Sequence, residues 1–179
     1  MTLQSLVDDM VANSKTIRFK SNGFGGTSHL NSTLYYKWLA YYVSNYKPKN
    51  ILELGRRYGN STFAISEYMP SDATLTSYDV VECGNVVNKP NVHILTYDGD
   101  TSVFNFSDYD LIFTDINGGG DPEYKIYEQM LEDGYKGVSI WDDVASKHCS
   151  PPKFWDKVTS EKVKLVTPDH TSGFGFIKV

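Results

Sequence analysis

From Asn50 onward, short apolar runs alternate with segments of helical spacing, and this alternation restricts the fold more than any other feature. Strands fit Asn50–Leu54, Thr74–Asp79, Val92–Thr96, Leu111–Asp115 and Gly137–Trp141. Helices fit Ser61–Tyr68, Glu123–Glu132 and Lys153–Thr159. Strand–helix alternation of this kind predicts a mostly parallel sheet covered on both faces. Two further apolar runs, Val163–Val166 and Phe174–Val179, predict a closing pair of strands. The link from Val80 to Asn91 is short and contains Gly84 and Pro90, so a trimmed crossover is expected there.

Before Asn50 the pattern is different. Leu3, Leu6, Val7 and Met10 give helical spacing over Leu3–Ala12. A glycine-rich loop follows, and Ser32 and Thr33 then precede a helix over Leu34–Asn45 that is rich in tyrosine. At 179 residues, with 40% hydrophobic and 22% charged content, the chain suits one globular domain. Residues 1–49 read as a helical cap and 50–179 as the core. The glycines of Gly23–Ser32 suit a mobile lid over a substrate.

Ligands of doubly wound sheets sit beyond the carboxyl ends of the strands. The first such end reads Glu53-Leu54-Gly55-Arg56-Arg57-Tyr58-Gly59-Asn60-Ser61-Thr62. Its glycines permit close backbone approach, so a side chain at Gly55 should fill space that a ligand needs. The helix start supplies free N–H groups for an anionic group such as a carboxylate. The Gly-x-Gly-x-x-Gly fingerprint of dinucleotide sites is absent. Asp79 lies 26 positions after Glu53 and suits ribose hydroxyls, with Glu82 as its rival.

The E-x-G-x-x-x-G turn followed by Asn-Ser-Thr resembles the first motif of class I S-adenosylmethionine-dependent methyltransferases. The likeness is closest to small catechol-type O-methyltransferases and their bacterial relatives. It implies a Rossmann-like α/β methyltransferase fold: a seven-stranded, mostly parallel sheet with helices on both faces and a C-terminal antiparallel hairpin. It also implies S-adenosylmethionine as cofactor, held by Glu53, Gly55, Arg56, Tyr58, Gly59 and Ser61. Arg57 stands where the family often has another glycine. By the same likeness Asp98 would meet the adenine amino group. Asp79 and Asp98 each have a plainer reading as a solvated turn residue.

Asp115 ends the fourth strand, and Asp142 and Asp143 end the fifth. Three carboxylates on one rim repel one another unless a proton or cation intervenes. Hard oxygen ligands suit Mg²⁺, Ca²⁺ or Mn²⁺, and such an ion could make an acceptor hydroxyl more acidic. Metal-dependent members of the family carry acids at these positions, so Asp115, Asp142 and Asp143 are candidate ligands. Asp115 and Asp142 are also candidate catalytic residues, and Asp115 a candidate cofactor contact. The family's lysine three residues beyond the first acid is missing, since the chain reads Ile116-Asn117-Gly118. His170 or His148 could therefore serve as a general base without metal, although each also reads as an exposed loop histidine. His93 reads as structural. Trp141 suits either the site wall or the core. The Phe154–Trp155 region and Thr171–Phe176 resemble the end of the same bacterial family.

The leading expectation is methyl transfer to a small-molecule hydroxyl. The alternative is a module that binds S-adenosylmethionine or a nucleoside without turnover. A net charge of -5 argues against nucleic acid as a partner. The N-terminus has no leader-like run, and no stretch reaches the ~18 apolar residues of a membrane span. Cys83 and Cys149 read as free thiols of a reducing cytoplasm. Self-association into a homo-oligomer stays open.

Overall fold

The computed structural model describes residues 1–20, 30–81, 87–116, 121–145 and 152–179. Glu82, His29, His148, both cysteines and most of Gly23–Ser32 lie outside the described residues. The strands are β1 (Asn50–Leu54), β2 (Thr74–Asp79), β3 (Val92–Thr96), β4 (Leu111–Thr114), β5 (Val138–Trp141), β6 (Glu161–Thr167) and β7 (His170–Lys178). They form one sheet in the order β3-β2-β1-β4-β5-β7-β6. The pairs among β3, β2, β1, β4 and β5 are parallel, while β7 runs antiparallel to both β5 and β6.

Successive side chains of a strand point to opposite faces, and the core divides accordingly. Ile51, Leu111, Phe113 and Ile140 pack on one face with α1 (Leu3–Asn13) and α2 (Leu34–Tyr46). Leu52, Leu54, Ile112 and Trp141 pack on the other with α4 (Asp121–Glu132) and α5 (Pro152–Lys157). Between β1 and β2 runs α3 (Asn60–Tyr68), which lies against α2. The central runs of β1, β4 and β5 are therefore buried on both sides, as interior parallel strands require.

The last two strands are longer than their apolar runs. They pair with each other from Glu161↔Lys178 to Thr167↔His170, and this cross-strand bonding carries Thr171, Ser172 and Gly173 into β7 despite their turn-like composition. The strand therefore begins at His170, not Phe174. Among the described residues of the Val80–Asn91 link, no helix forms. Among the described residues, no helix is long and apolar enough to cross a membrane.

Candidate active site

The turn after β1 is shaped by two glycines and one acid. Gly55 has φ +83°, and a Cβ there would stand 2.0 Å from the Asp115 carbonyl oxygen. The neighbouring chain alone thus requires glycine here, whatever ligand the turn takes. Gly59 caps α3 at φ +77°, and its N–H donates to the Arg56 carbonyl at 2.6 Å. Arg57, where the family often has glycine, adopts φ +45°. This left-handed conformation is the one a glycine would take most readily.

Asp79 braces this turn from the end of β2. The Arg56 and Arg57 N–H groups donate to its Oδ2 at 2.9 and 2.7 Å, and the Val81 N–H donates to Oδ1 at 3.0 Å. Burial pushes the carboxyl pKa up, but these three bonds and the Arg56 charge outweigh it and hold the group below its ordinary value. A carboxylate offers about four acceptor positions, so these three bonds leave one unused.

Glu53 is wholly buried behind the turn, where Oε2 accepts the Thr62 and Ser77 hydroxyls, each at 2.5 Å. Burial raises its pKa despite those hydroxyls. Arg56 is buried too, its guanidinium donating to the Leu95 carbonyl at 2.8 Å. Glu53 shapes the turn from behind, while Arg56, though buried, also lines the cleft described next. Tyr58 is exposed, with the Arg57 guanidinium 4.9 Å from its ring centroid. Asp98 is exposed in a turn, accepting the Asp100 N–H at 3.0 Å, and takes no part in the cleft described next.

A cleft of about 360 Å³ opens beyond the carboxyl ends of β1, β4 and β5. Ser61 and Tyr58 line it from the turn, and Asp115, Asp142, Asp143 and His170 from the opposite side. The His170 Nε2 lies 2.5 Å from Asp142 Oδ1, with side chains only 12% and 7% exposed. His170 is therefore not the exposed loop histidine that one reading expected. Burial lowers its pKa, but the Asp142 bond and the Asp142 and Asp143 charges prevail and raise it above the usual imidazole range. Burial and then the Asp142 and Asp143 charges push the Asp115 pKa well up. Asp142 is raised by burial, against the opposing pull of His170.

Among the described residues, the donor atoms of Asp142, Asp143 and His170 lie within 4.8 Å of one another, a set that could hold a metal ion. Asp115 falls outside that set, so the expected trio of carboxylates is regrouped around the histidine. Trp141 is core: its ring packs on Phe154 at 4.6 Å and its Nε1 donates to Ser139. His93 lies exposed on edge strand β3.

Sequence reasoning missed the wall supplied by α2. Tyr35 and Tyr36, at the start of that helix, line the cleft with Asn60. The one available signal was the tyrosine-rich stretch itself, which suits core packing equally well.

No protein-family model and no curated protein matches the chain. Solved structures do. A methyltransferase of Podospora anserina with bound S-adenosylhomocysteine is 19% identical at TM-score 0.61, over 97% of this chain and 87% of its own. An O-methyltransferase of Bacillus cereus in complex with S-adenosylhomocysteine is 16% identical at TM-score 0.57, over 99% and 90%. The O-methyltransferase TomG of Streptomyces achromogenes, involved in tomaymycin synthesis and solved with S-adenosylmethionine, is 17% identical at TM-score 0.57, over 81% and 79%. At these identities the likeness establishes the Rossmann-like methyltransferase fold.

Proposed function

We propose that this protein transfers the methyl group of S-adenosylmethionine to a hydroxyl oxygen of a small molecule, working as one domain. The observation that carries this reading is a single cleft shared by the Gly59-capped turn and the Asp142–His170 pair. Its volume falls within the roughly 300–1,000 Å³ of small-ligand sites.

The residues fit the cofactor in three respects. Carboxylates crowd the cleft and favour a cationic ligand. Asn60 Oδ1 is a buried acceptor with no hydrogen-bond partner, suited to a ligand N–H. Val80 and Val81 leave apolar surface just after β2, next to Asp79, where a flat base could lie. That the solved relatives carry S-adenosylhomocysteine or S-adenosylmethionine supports the same choice.

When bound, S-adenosylmethionine supplies an electrophilic methyl on its sulfonium. The turn and Asp79 orient the donor, and the rim of β4 and β5 orients the acceptor. The Asp142–His170 pair would take the proton of the acceptor hydroxyl, its mutual bond making it a stronger base than free imidazole. Holding the partners in line contributes much of the rate.

A metal-assisted version is favoured by one observation, the close donor set of Asp142, Asp143 and His170. Two carboxylates and an imidazole fit a divalent ion such as Mn²⁺ or Mg²⁺, which would acidify the hydroxyl.

Calorimetry with S-adenosylhomocysteine should show one site per chain. Labelled methyl transfer across a panel of phenols and alcohols, in EDTA and with added Mg²⁺ or Mn²⁺, tests turnover. No heat with the cofactor would overturn the reading. Heat without transfer to any acceptor would favour the binding module, and loss of turnover in EDTA would select the metal-assisted version.

A further inference from the structure

The imidazole of His170 sits in an aromatic corner. Its ring centroid lies 4.7 Å from that of Tyr35, with the planes tilted by 35°, and 6.1 Å from Phe174 at 73°. Tyr35 and Phe174 are themselves 5.6 Å apart. Phe174 comes from β7, the strand that carries His170, whereas Tyr35 comes from the first turn of α2, far away in the chain.

Rotation about the last bond of a histidine side chain is soft, with broad wells. The Asp142 bond holds one nitrogen and the Gly173 carbonyl also acts on the ring, but both meet its edge and leave its plane some freedom to swing. A flat surface against the imidazole face removes that freedom, and Tyr35 supplies one. The tyrosine is anchored in turn. Its ring lies 4.1 Å from that of Tyr36, with the planes tilted by 45°. Tyr36 shares the cleft wall with Asn60, the first residue of α3. Consecutive helical residues do not normally face each other, so the Tyr35–Tyr36 contact is a particular arrangement of the first turn of α2.

We propose that Tyr35 is a positioning residue: its ring holds the His170 imidazole against Asp142, and through Tyr36 and Asn60 it registers that pair with the helix that begins at the cofactor turn. This rests on the methyltransferase reading for its consequence in rate, but not for its geometry. The acceptor half of the site is thereby completed by residues from the first 49, which a minimal core of strands and glycine turn would lack.

The test compares wild type with Tyr35→Phe, Tyr35→Leu and Tyr35→Met. Phenylalanine keeps the ring, leucine removes it, and methionine fills the space with a flexible chain should leucine fail to fold. The first readout is the long-range ¹H–¹⁵N spectrum of the histidine side chains, with His170 assigned by its absence in His170→Asn. Wild type and Tyr35→Phe should show a single tautomer with a protected Nε2–H. Leucine or methionine should lose that protection. The second readout is calorimetry with S-adenosylhomocysteine, where every Tyr35 variant should bind within about threefold of wild type. The third is methyl transfer, where kcat should fall about ten- to a hundredfold in Tyr35→Leu or Tyr35→Met, as expected for misplaced reacting groups, and recover in Tyr35→Phe. An unchanged His170 signal in the leucine or methionine variant would overturn the proposal. So would a rate loss in Tyr35→Phe as large as theirs. If wild type neither binds cofactor nor transfers methyl, the functional reading fails, while the spectra still decide whether Tyr35 holds His170.

Discussion

Asp79 directs its carboxylate at the chain as much as at any ligand, and this has measurable consequences at the scale of single residues. Asp79→Asn cannot accept all three N–H groups equally well, since one side-chain oxygen becomes a donor. Stability should fall by about 1.5–3 kcal/mol, the range for hydrogen bonds to charged groups, read from urea midpoints at neutral pH. The folded pKa is depressed. The stabilisation is therefore present above the unfolded value of about 3.9 and lost as pH falls through the folded value. Wild type and variant should converge in acid. His170 has the opposite sign, because its folded pKa is raised. Its contribution is complete below about 6.5 and lost as pH rises through the folded value. The stability gap between wild type and His170→Gln should accordingly narrow in alkali.

At the scale of elements, the turn after β1 is a joint between strands. Gly55→Ala combines a left-handed conformation with a Cβ 2.0 Å from the Asp115 carbonyl oxygen. Strain and overpacking together should cost about 3 kcal/mol. The loss should appear in thermal melts without cofactor, because the obstruction is the chain itself. Much of the turn was legible in sequence: apolar Ile51–Leu54, the glycine spacing and the acid after β2 all mark it. Which residues face the cleft was legible only in part: Tyr58, Ser61, Asp115, Asp142, Asp143 and His170 do. Glu53 read as a cofactor contact yet is buried behind the turn, because motif spacing does not report side-chain direction. Tyr35 and Tyr36 carried no motif, and their placement depends on contacts with β7 and α3 that no local pattern encodes. His170 read as loop because strand pairing, not composition, places it in β7.

At the scale of the whole molecule, the strand order has a consequence in time. β7 is the last of the seven strands to be synthesised, yet it lies between β5 and β6. A nascent chain that has emerged through β6 has no neighbour for that strand except one not yet made. The carboxylates at the ends of β4 and β5 are already present, while the imidazole that answers Asp142 is still inside the ribosome. Assembly of the centre thus waits for the final segment. A stalled chain ending at Asp169 should resist refolding and be digested rapidly by protease, whereas one carrying all of β7, tethered by a linker long enough to clear the exit tunnel, should be protected. Rapid protection of the shorter chain would show that β6 can dock without its inner neighbour.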